Sequence, residues 1–326
     1  MNRKITVLTL CVMLLALGFS ASAQQPEIVP RIGYLGGVSL SANTARHEAF
    51  RQGLRELHYV EGKNIVIDWR SADGKLERLP ALAAEMVRLK LDVIVTSGAS
   101  ATRAVKEATN TIPIVMTNDP DPVGDGIIAS LARPGGNITG LSALAPELNG
   151  KRLEVLSEVV PKLSRLAVLR VSTSLVGGQM RELELAAKAF GVTLQYLDVL
   201  DSKNIETTFR AAIKGRADGV LVLSGGIISA QRAQIADLAV KNRLPAIYHE
   251  PRYVEAGGLM SYGVSLHDLD RRAATYVDKI LKGRRPGDLP VEQPKKFEFI
   301  INLKAAKQIG LTIPPNVLVR ADKVIR

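Results

Sequence analysis

The chain of 326 residues is long for one hydrophobic core and suits two lobes of ordinary size. Hydrophobic residues make up 46% of it and charged residues 23%, a balance that excludes a disordered protein. Aromatic residues make up only 4%, and the basic residues behind the net charge of +11 are spread along the chain, so we expect no nucleic-acid partner.

The first 23 residues have the pattern of an export signal. Two basic residues precede an apolar run, and Ala-Ser-Ala at residues 21–23 is a small-residue cleavage motif. The apolar run is shorter than the roughly 20 residues that a membrane-spanning helix needs. We therefore expect cleavage after Ala23, with an uncleaved N-terminal anchor as the alternative. Cleavage would remove Cys11, the only cysteine, and leave no thiol for a disulfide, a nucleophile or a metal site.

Behind the signal, short apolar strands alternate with amphipathic helices. Strand patterns occupy residues 31–35, 64–69, 92–96, 112–116 and 138–141, and helical patterns occupy residues 43–57, 76–89 and 101–108. Strands that alternate with helices of about 10 to 15 residues indicate a parallel sheet with covering helices.

A second run of the same kind follows the turn cluster Arg-Pro-Gly-Gly-Asn at residues 133–137. Helices are predicted at residues 149–159, 178–190, 205–214 and 229–242, and strands at residues 165–171, 193–199, 219–223, 245–248 and 258–262. A helix at residues 266–281, a strand at 297–301 and a short helix at 304–309 remain after these two complete runs.

The elements left over after the two runs predict that the chain crosses between its two lobes three times. Three crossing segments would form a hinge rather than a loose linker. The expected division is a signal at residues 1–23, a first lobe of residues 31–141 plus 264–285, and a second lobe of residues 145–260 plus 290–326. The predicted fold class is α/β, with one parallel sheet in each lobe.

Eight segments, taken in their order and spacing, resemble one family of exported proteins. They are residues 50–54 (FRQGL), 59–65 (YVEGKNI), 119–124 (DPDPVG), 131–140 (LARPGGNITG), 151–156 (KRLEVL), 290–294 (PVEQP), 299–303 (FIINL) and 310–315 (GLTIPP). The chain resembles the type I periplasmic solute-binding proteins of ABC importers, in the branch described as ABC transporter substrate-binding protein. The resemblance implies two Rossmann-like lobes, three hinge strands and a ligand clamped between the lobes.

The resemblance and the export signal together predict a periplasmic component of an ABC importer. It would capture an amino acid or a small carboxylate and present it to permease subunits in the inner membrane. The sequence contains no His-x-x-x-His spacing, no Gly-x-Ser-x-Gly elbow and no Walker loop, so we expect no metal, no cofactor and no catalysis. We also expect a monomer. An exported sensory ligand-binding protein or an exported α/β enzyme is the alternative, because a fold does not fix a function.

Loops rich in serine and glycine follow the predicted strands, where open parallel sheets bind ligands. Residues 97–100 (SGAS) offer hydroxyls and backbone N–H groups to an anion, with an ordinary helix cap as the alternative. Asp119 and Glu250 are predicted to meet a ligand ammonium, with an Asx turn or a surface ion pair as the alternative. Tyr34 and Tyr262 are predicted to form an apolar wall, with core packing as the alternative. The complete set of predicted ligand-binding residues is Tyr34, Gly37, Ser39, Ser97, Gly98, Ala99, Thr117, Asp119, Ser142, Ser172, Ser224, Glu250 and Tyr262.

Overall fold

Two β-sheets organise the part of the chain that the computed structural model describes, residues 29–171 and 177–326. The export signal with Cys11 and the predicted site residue Ser172 lie outside the described residues, so what the sequence says of them stays a prediction. In the described part, none of the helices combines the length and the apolar character that crossing a membrane requires.

The first sheet contains five parallel strands in the order β2-β1-β3-β4-β5. Its strands are β1 (Arg31–Gly36), β2 (Val66–Ser71), β3 (Val93–Ser97), β4 (Ile114–Asp119) and β5 (Ile138–Ser142), and its helices are α1 (Thr44–Glu56), α2 (Leu79–Arg88) and α3 (Ala99–Ala108). Strands β3 to β5 are buried on both faces, which is why their sequences read as apolar runs rather than as an alternating pattern. This sheet and its helices form the first lobe.

The second sheet has seven strands in the order β12-β11-β10-β9-β8-β6-β7 and forms the second lobe with its helices. In chain order the remaining elements are α4 (Ala145–Val159), β6 (Arg165–Arg170), α5 (Gly177–Phe190), β7 (Thr193–Asp198), α6 (Ile205–Lys214), β8 (Gly219–Val222), α7 (Gly226–Ala230), α8 (Arg232–Lys241), β9 (Ala246–Tyr248), α9 (Arg252–Glu255), β10 (Met260–Val264), α10 (Leu266–Leu281), β11 (Phe297–Asn302), α11 (Leu303–Ile309), α12 (Pro315–Leu318) and β12 (Lys323–Ile325). The predicted alternation of strands and helices is therefore present in both lobes.

Strand β11 departs from the predicted parallel sheet, because it runs antiparallel to β10. The chain leaves the second lobe at the carboxyl end of β10, passes through α10 and then returns. It re-enters the sheet beside the end that it left, so β11 must run in the opposite direction. The second sheet is parallel in its other pairs, including β11 with β12.

Several element bounds also differ from the sequence pattern. Helix α4 begins at Ala145, earlier than expected, with Pro146 in its first turn, where a missing N–H costs nothing. The single helix expected at residues 229–242 is two helices, α7 and α8. Elements α9, α12 and β12 were not predicted, because three or four residues are too few to show a period.

The chain passes between the lobes three times: after β5, after β10 and before β11. Backbone hydrogen bonds join these crossings to one another. Ser142 N donates to Glu292 O at 3.0 Å, and Glu292 N donates to Gly140 O at 3.0 Å. Ser265 N donates to Lys296 O, also at 3.0 Å. The third crossing thus pairs with each of the other two, which gives the hinge three hydrogen-bonded strands.

Helix α10 follows the second crossing and packs in the first lobe, against α1. Its buried residues Leu269 and Val277 share a core with Phe50 and Leu54 of α1. The two helices approach closely at Gly53, where an added Cβ would lie 2.1 Å from the carbonyl oxygen of Arg271. No residue larger than glycine fits that contact without movement of the helices.

Candidate ligand-binding site

A cavity lies between the two lobes, at the carboxyl ends of their strands, where ligands bind in open α/β sheets. Its water-accessible volume is about 130 Å³. The first lobe contributes Gly37, Val38, Asn43, Arg46, Leu76, Ser97, Gly98, Ala99, Ser100, Ala101, Asn118, Pro120 and Asp125, and the second lobe contributes Arg152, Ser224, Gly225, Gly226, Ser229, His249, Glu250 and Arg252. Residues of the crossing segments complete the wall. A molecule in this cavity would touch both lobes.

The lobes touch each other at the rim of the cavity. Arg252 Nη1 in the second lobe donates to Asn43 Oδ1 at 2.6 Å and to Ala42 O at 3.2 Å in the first. Leu76 of the first lobe meets Gly226 of the second, where an added Cβ would lie 2.8 Å from Leu76 Cδ2. The described conformation is therefore a closed one.

Arg46 enters the cavity wall from α1 and is held by Asp270 of α10. Its Nε lies 2.5 Å from Asp270 Oδ2, and its Nη2 lies 3.2 Å from Oδ1. The same Nη2 donates to Ser97 Oγ at 3.1 Å, and Tyr34 donates its hydroxyl to Asp270 Oδ1 at 3.1 Å. Burial opposes the charge of Arg46, but Asp270 raises the pKa of Arg46 above its ordinary value. The charge of this guanidinium is balanced inside the protein.

Arg252 is balanced in the same way, by Glu250. Its Nη2 lies 2.8 Å from Glu250 Oε2, and the carboxylate is 1% exposed. Burial raises the pKa of Glu250, but the charge of Arg252 outweighs it, so the pKa lies below its ordinary value. Burial lowers the pKa of the neighbouring His249 to about 4, so the imidazole is neutral at pH 7.

Arg152 of α4 also lines the cavity, but no carboxylate balances it. The residue is 3% exposed. Its Nε donates to Tyr262 O at 2.6 Å, and its Nη1 donates to Asn149 Oδ1 at 2.5 Å. Among the described residues no carboxylate lies within 4.0 Å of the guanidinium, and burial lowers the pKa of Arg152 to about 9. Its Nη2 lacks a protein acceptor among those residues, which leaves it available to an anion.

Asp125 is the opposite case, a carboxylate in the cavity wall that no cation pairs with. It follows β4 and is 7% exposed. In the described part of the chain no basic side chain lies within 4.0 Å of its carboxylate, although Arg103 donates to its backbone carbonyl at 3.4 Å. Burial and the neighbouring Asp121 raise the pKa of Asp125 to about 6. The carboxylate is still mostly ionised at pH 7.

Helix α3 directs its N-terminus at the cavity. Gly98 precedes the helix with φ +88°, a conformation that favours glycine, and no side chain caps the first turn. Residues 99–101, the first of the helix, line the cavity. Their backbone N–H groups and the helix dipole attract negative charge.

Six of the predicted ligand-binding residues line the cavity together: Gly37, Ser97, Gly98, Ala99, Ser224 and Glu250. The structure brings them to one place from four loops in two lobes. Their contact with a ligand stays a prediction.

The two predicted tyrosines do not line it. Tyr34 is 1% exposed and packs among Phe50 and Trp69, with its hydroxyl on Asp270. Tyr262 is half-buried and stacks on Phe297, with ring centroids 6.5 Å apart. Both side chains point from their strands toward a hydrophobic core. They therefore match the alternative prediction, core packing, rather than a wall of the cavity.

Three further predicted residues, Thr117, Asp119 and Ser142, lie next to the cavity rather than in its wall. Thr117 and Asp119 are fully buried, and Asn118 between them lines the cavity. Ser142 is 3% exposed and accepts a hydrogen bond from Leu144 N, whereas the adjacent Ala143 lines the cavity. Successive strand residues point to opposite faces, so a shift of one position moves a side chain out of the wall. Ser39 lines a different surface groove.

The described residues contain no group of three or more His, Cys, Asp or Glu side chains arranged for a metal ion. The polar groups of the cavity are guanidinium, hydroxyl, amide, imidazole and carboxylate groups. These are suited to binding a charged organic solute.

A sequence profile of the family described as "ABC transporter substrate binding protein" matches residues 32–325. The chain belongs to this family. It is 28% identical over 266 residues to the tyrosine-binding protein of Clostridioides difficile (strain R20291). The aligned region covers 81% of this chain and 76% of the relative. The family consists of substrate-binding proteins of ABC transporters, and the relative is a tyrosine-binding protein.

Two solved structures show the same architecture as this substrate-binding protein, a type I periplasmic binding protein fold. An ABC domain from Streptococcus pneumonia in complex with L-Trp is 26% identical, with a TM-score of 0.84 over 91% of this chain and 99% of that one. A ligand-free, open structure of a substrate binding protein with adhesive properties from Clostridium difficile is 25% identical. The superposition covers 91% of this chain and 99% of that one, with a TM-score of 0.66.

The sequence reasoning missed the three arginines of the substrate-binding protein's cavity, together with Asn118, Ser229 and His249. One signal was available for Arg152. It shares the buried stripe of α4 with Asn149, Leu153 and Leu156, so its charge falls on the apolar face of the helix. A charge at such a position needs a partner or a function. No comparable signal marks Arg46, whose partner lies 224 residues away.

Proposed function

We propose that this substrate-binding protein is the periplasmic component of an ABC importer and that it clamps a zwitterionic solute, an amino acid, between its lobes. The balance of charge in the cavity carries the proposal. Five charged side chains of the described residues line the cavity, and two of the three arginines among them have carboxylate partners. Arg152 and Asp125 are left, one positive and one negative. A solute with one anionic and one cationic group balances both.

Arg152 is the stronger of these two anchors. A buried charge without a partner costs several kcal/mol, and a ligand carboxylate would recover that cost through charge-assisted hydrogen bonds. The free N-terminus of α3 adds attraction for a carboxylate from the first lobe. A carboxylate-bearing solute therefore gains from contact with both lobes.

Contact with both lobes is what couples binding to closure. A ligand shifts an open–closed equilibrium only by as much as it binds the closed form better. The described conformation is closed, with Arg252 reaching across to Asn43. It is also more similar to the L-Trp complex than to the ligand-free, open relative, with TM-scores of 0.84 and 0.66. These observations support ligand-driven closure.

The relatives support an amino acid in particular. One is a tyrosine-binding protein, and another was solved with L-Trp. The proposal also includes export, with cleavage after Ala23, a monomeric state and delivery of the solute to permease subunits. N-terminal sequencing and the native mass of protein from a periplasmic extract check the first two.

Isothermal titration with amino acids and small carboxylates tests the proposal, after unfolding and dialysis have removed any solute that co-purifies. Arg152→Gln should raise the Kd by at least about 30-fold, because it removes the charge that meets the carboxylate. Lys151→Gln is the matched control, since Lys151 is the next residue along α4 and pairs with Glu154 on the surface. It should leave the Kd within about twofold.

Absence of binding by every amino acid and carboxylate, with a folded protein, would overturn the proposal. Equal loss of affinity in the two variants would remove Arg152 from it. Thermal unfolding of each variant shows whether the fold is retained.

A further inference from the structure

The cavity has a feature that the charge balance does not use: among the described residues, its wall contains the imidazole of His249 but no phenylalanine, tyrosine or tryptophan ring. The rings near it are engaged elsewhere. Tyr34 lies in a cluster with Phe50 and Trp69 behind the Arg46–Asp270 pair. Tyr248 and Tyr253 are stacked on each other, with centroids 4.6 Å apart, and both are fully buried. An aromatic side chain of a ligand would find no phenyl, phenol or indole ring to stack on in the described part of the wall.

The second-lobe wall is polar instead. Ser224 and His249 lie along it on the loops after β8 and β9, and Ser229 lies along it in α7. Ser229 Oγ and His249 Nε2 are 3.4 Å apart, which is a long hydrogen bond. Ser224 Oγ is buried and has no hydrogen-bond partner among the described residues, and the same holds for His249 Nδ1. Buried hydroxyl groups are normally paired, so an unpaired one beside a cavity indicates a missing acceptor or donor.

The size of the cavity points in the same direction. Its water-accessible volume of about 130 Å³ lies well below the roughly 300 to 1,000 Å³ of pockets that hold drug-sized ligands. On this measure the closed form favours a small solute over one that carries an indole or a phenol.

We propose that the cavity selects a small, non-aromatic amino acid whose side chain hydrogen-bonds to Ser224 in the second-lobe wall. This inference rests on the proposed function, because it assumes that the charged groups of the ligand meet Arg152 and Asp125. Arg152 and Asp125 would bind the charged groups that all amino acids share, so they do not determine the side chain of the ligand. The present inference specifies the class of that side chain. Sites built to hydrogen-bond a ligand hydroxyl discriminate strongly against ligands that lack it, since the buried groups of the site are then left unpaired.

The test is a calorimetric panel on the refolded protein: glycine, L-alanine, L-serine, L-threonine, L-valine, L-asparagine and L-glutamine against L-phenylalanine, L-tyrosine and L-tryptophan. The tightest small polar amino acid should bind at least about tenfold more tightly than any aromatic one. L-Serine should bind more tightly than L-alanine, and L-threonine more tightly than its isostere L-valine.

Variants assign the preference to the wall. Ser224→Ala should reduce the serine-to-alanine affinity ratio by about tenfold, while the affinity for L-alanine changes little. Ser157→Ala is the control, because Ser157 bonds to its own helix on α4 at Leu153 O. It should leave the ratio unchanged. His249→Gln is a second variant, which should lower the same ratio if Ser224→Ala does not fold.

The outcomes separate this inference from the proposed function. Binding of amino acids with equal or tighter binding of aromatic ones overturns only the inference, as does an unchanged serine-to-alanine ratio in Ser224→Ala. Binding of no amino acid at all overturns the proposed function and the inference with it.

Discussion

The guanidinium of Arg252, in the second lobe, donates to the side-chain oxygen of Asn43, in the first lobe, across 2.6 Å. The carboxylate of Glu250 accepts from two other donors of the same guanidinium, Arg252 Nε at 3.0 Å and Arg252 Nη2 at 2.8 Å. This contact exists only while the lobes are together, so it stabilises the closed form and not the open one.

Asn43→Ala should therefore weaken solute binding by about tenfold, mainly by faster dissociation. Stopped-flow measurement of association and dissociation rates checks this, with X-ray scattering of the solute-loaded protein as a measure of closure. Asn242→Ala is the control, because Asn242 bonds only to its own helix at Leu238 O. A dissociation rate equal to that of the unmodified protein would show that the contact plays no part in closure.

Asp270→Asn should destabilise the protein by about 3 to 5 kcal/mol, because it leaves the buried charge of Arg46 without its partner. Both side chains are buried, and Asp270 is fully so. Urea unfolding measures the change in the free energy of unfolding. Glu56→Gln breaks the exposed pair with Arg271 and should have little effect, since exposed ion pairs contribute little. Similar effects of the two substitutions would contradict the assignment of Asp270 as the buried counter-ion.

Asp119→Asn should change how stability depends on pH. Burial raises the pKa of Asp119 to about 7, and both of its oxygens lack a hydrogen-bond partner among the described residues. A raised pKa means that the folded state binds the proton more tightly than the unfolded state does. The stability from this group is present below pH 4 and is lost as the pH rises through 7.

The gain in unfolding free energy of Asp119→Asn over the unmodified protein should thus be larger at pH 8 than at pH 4, by up to about 4 kcal/mol. Urea unfolding at the two pH values measures this difference. Asp237→Asn, on the exposed face of α8, should show almost no such difference. A pH-independent effect of Asp119→Asn would mean that the carboxylate is solvated or paired in the folded protein.

Gly53→Ala should destabilise the first lobe by about 3 kcal/mol or prevent its folding, because the new methyl group meets the backbone of Arg271. Gly150→Ala, also within a helix, is the control. Its added Cβ would lie 3.6 Å from Ala186 Cβ, an ordinary contact, so the substitution should stabilise by about 0.5 to 1 kcal/mol. Thermal unfolding compares the two, and a neutral Gly53→Ala would show that α1 and α10 separate easily.

The sequence predicts the lobes well because strand and helix periods are local. The buried strands are marked by apolar runs such as Val93–Ser97, and the helices by their spacing. The direction of β11 is different, because it depends on which lobe the chain comes from. The edge strand Lys323–Ile325 is too short and too exposed to show any pattern.

The site is only partly predictable for a related reason. The rule that ligands bind beyond the carboxyl ends of strands selects loops that line the cavity, including residues 97–99 and Ser224. It does not say which of two neighbouring residues, such as Asn118 or Asp119, faces the cavity. Whether an arginine is balanced depends on contacts far apart in the chain, and Arg46 and Asp270 are 224 residues apart.

The return of α10 to the first lobe has a consequence for the order of folding. The core around Phe50 and Leu54 includes Leu269, Ala273 and Val277. These residues are made after most of the second lobe, so the first lobe cannot complete its core until the chain has been made as far as Val277. Contacts of such long sequence separation delay folding. For the proposed export, in which the chain crosses a membrane unfolded, this delay is an advantage, because the first lobe stays incomplete until α10 has been made.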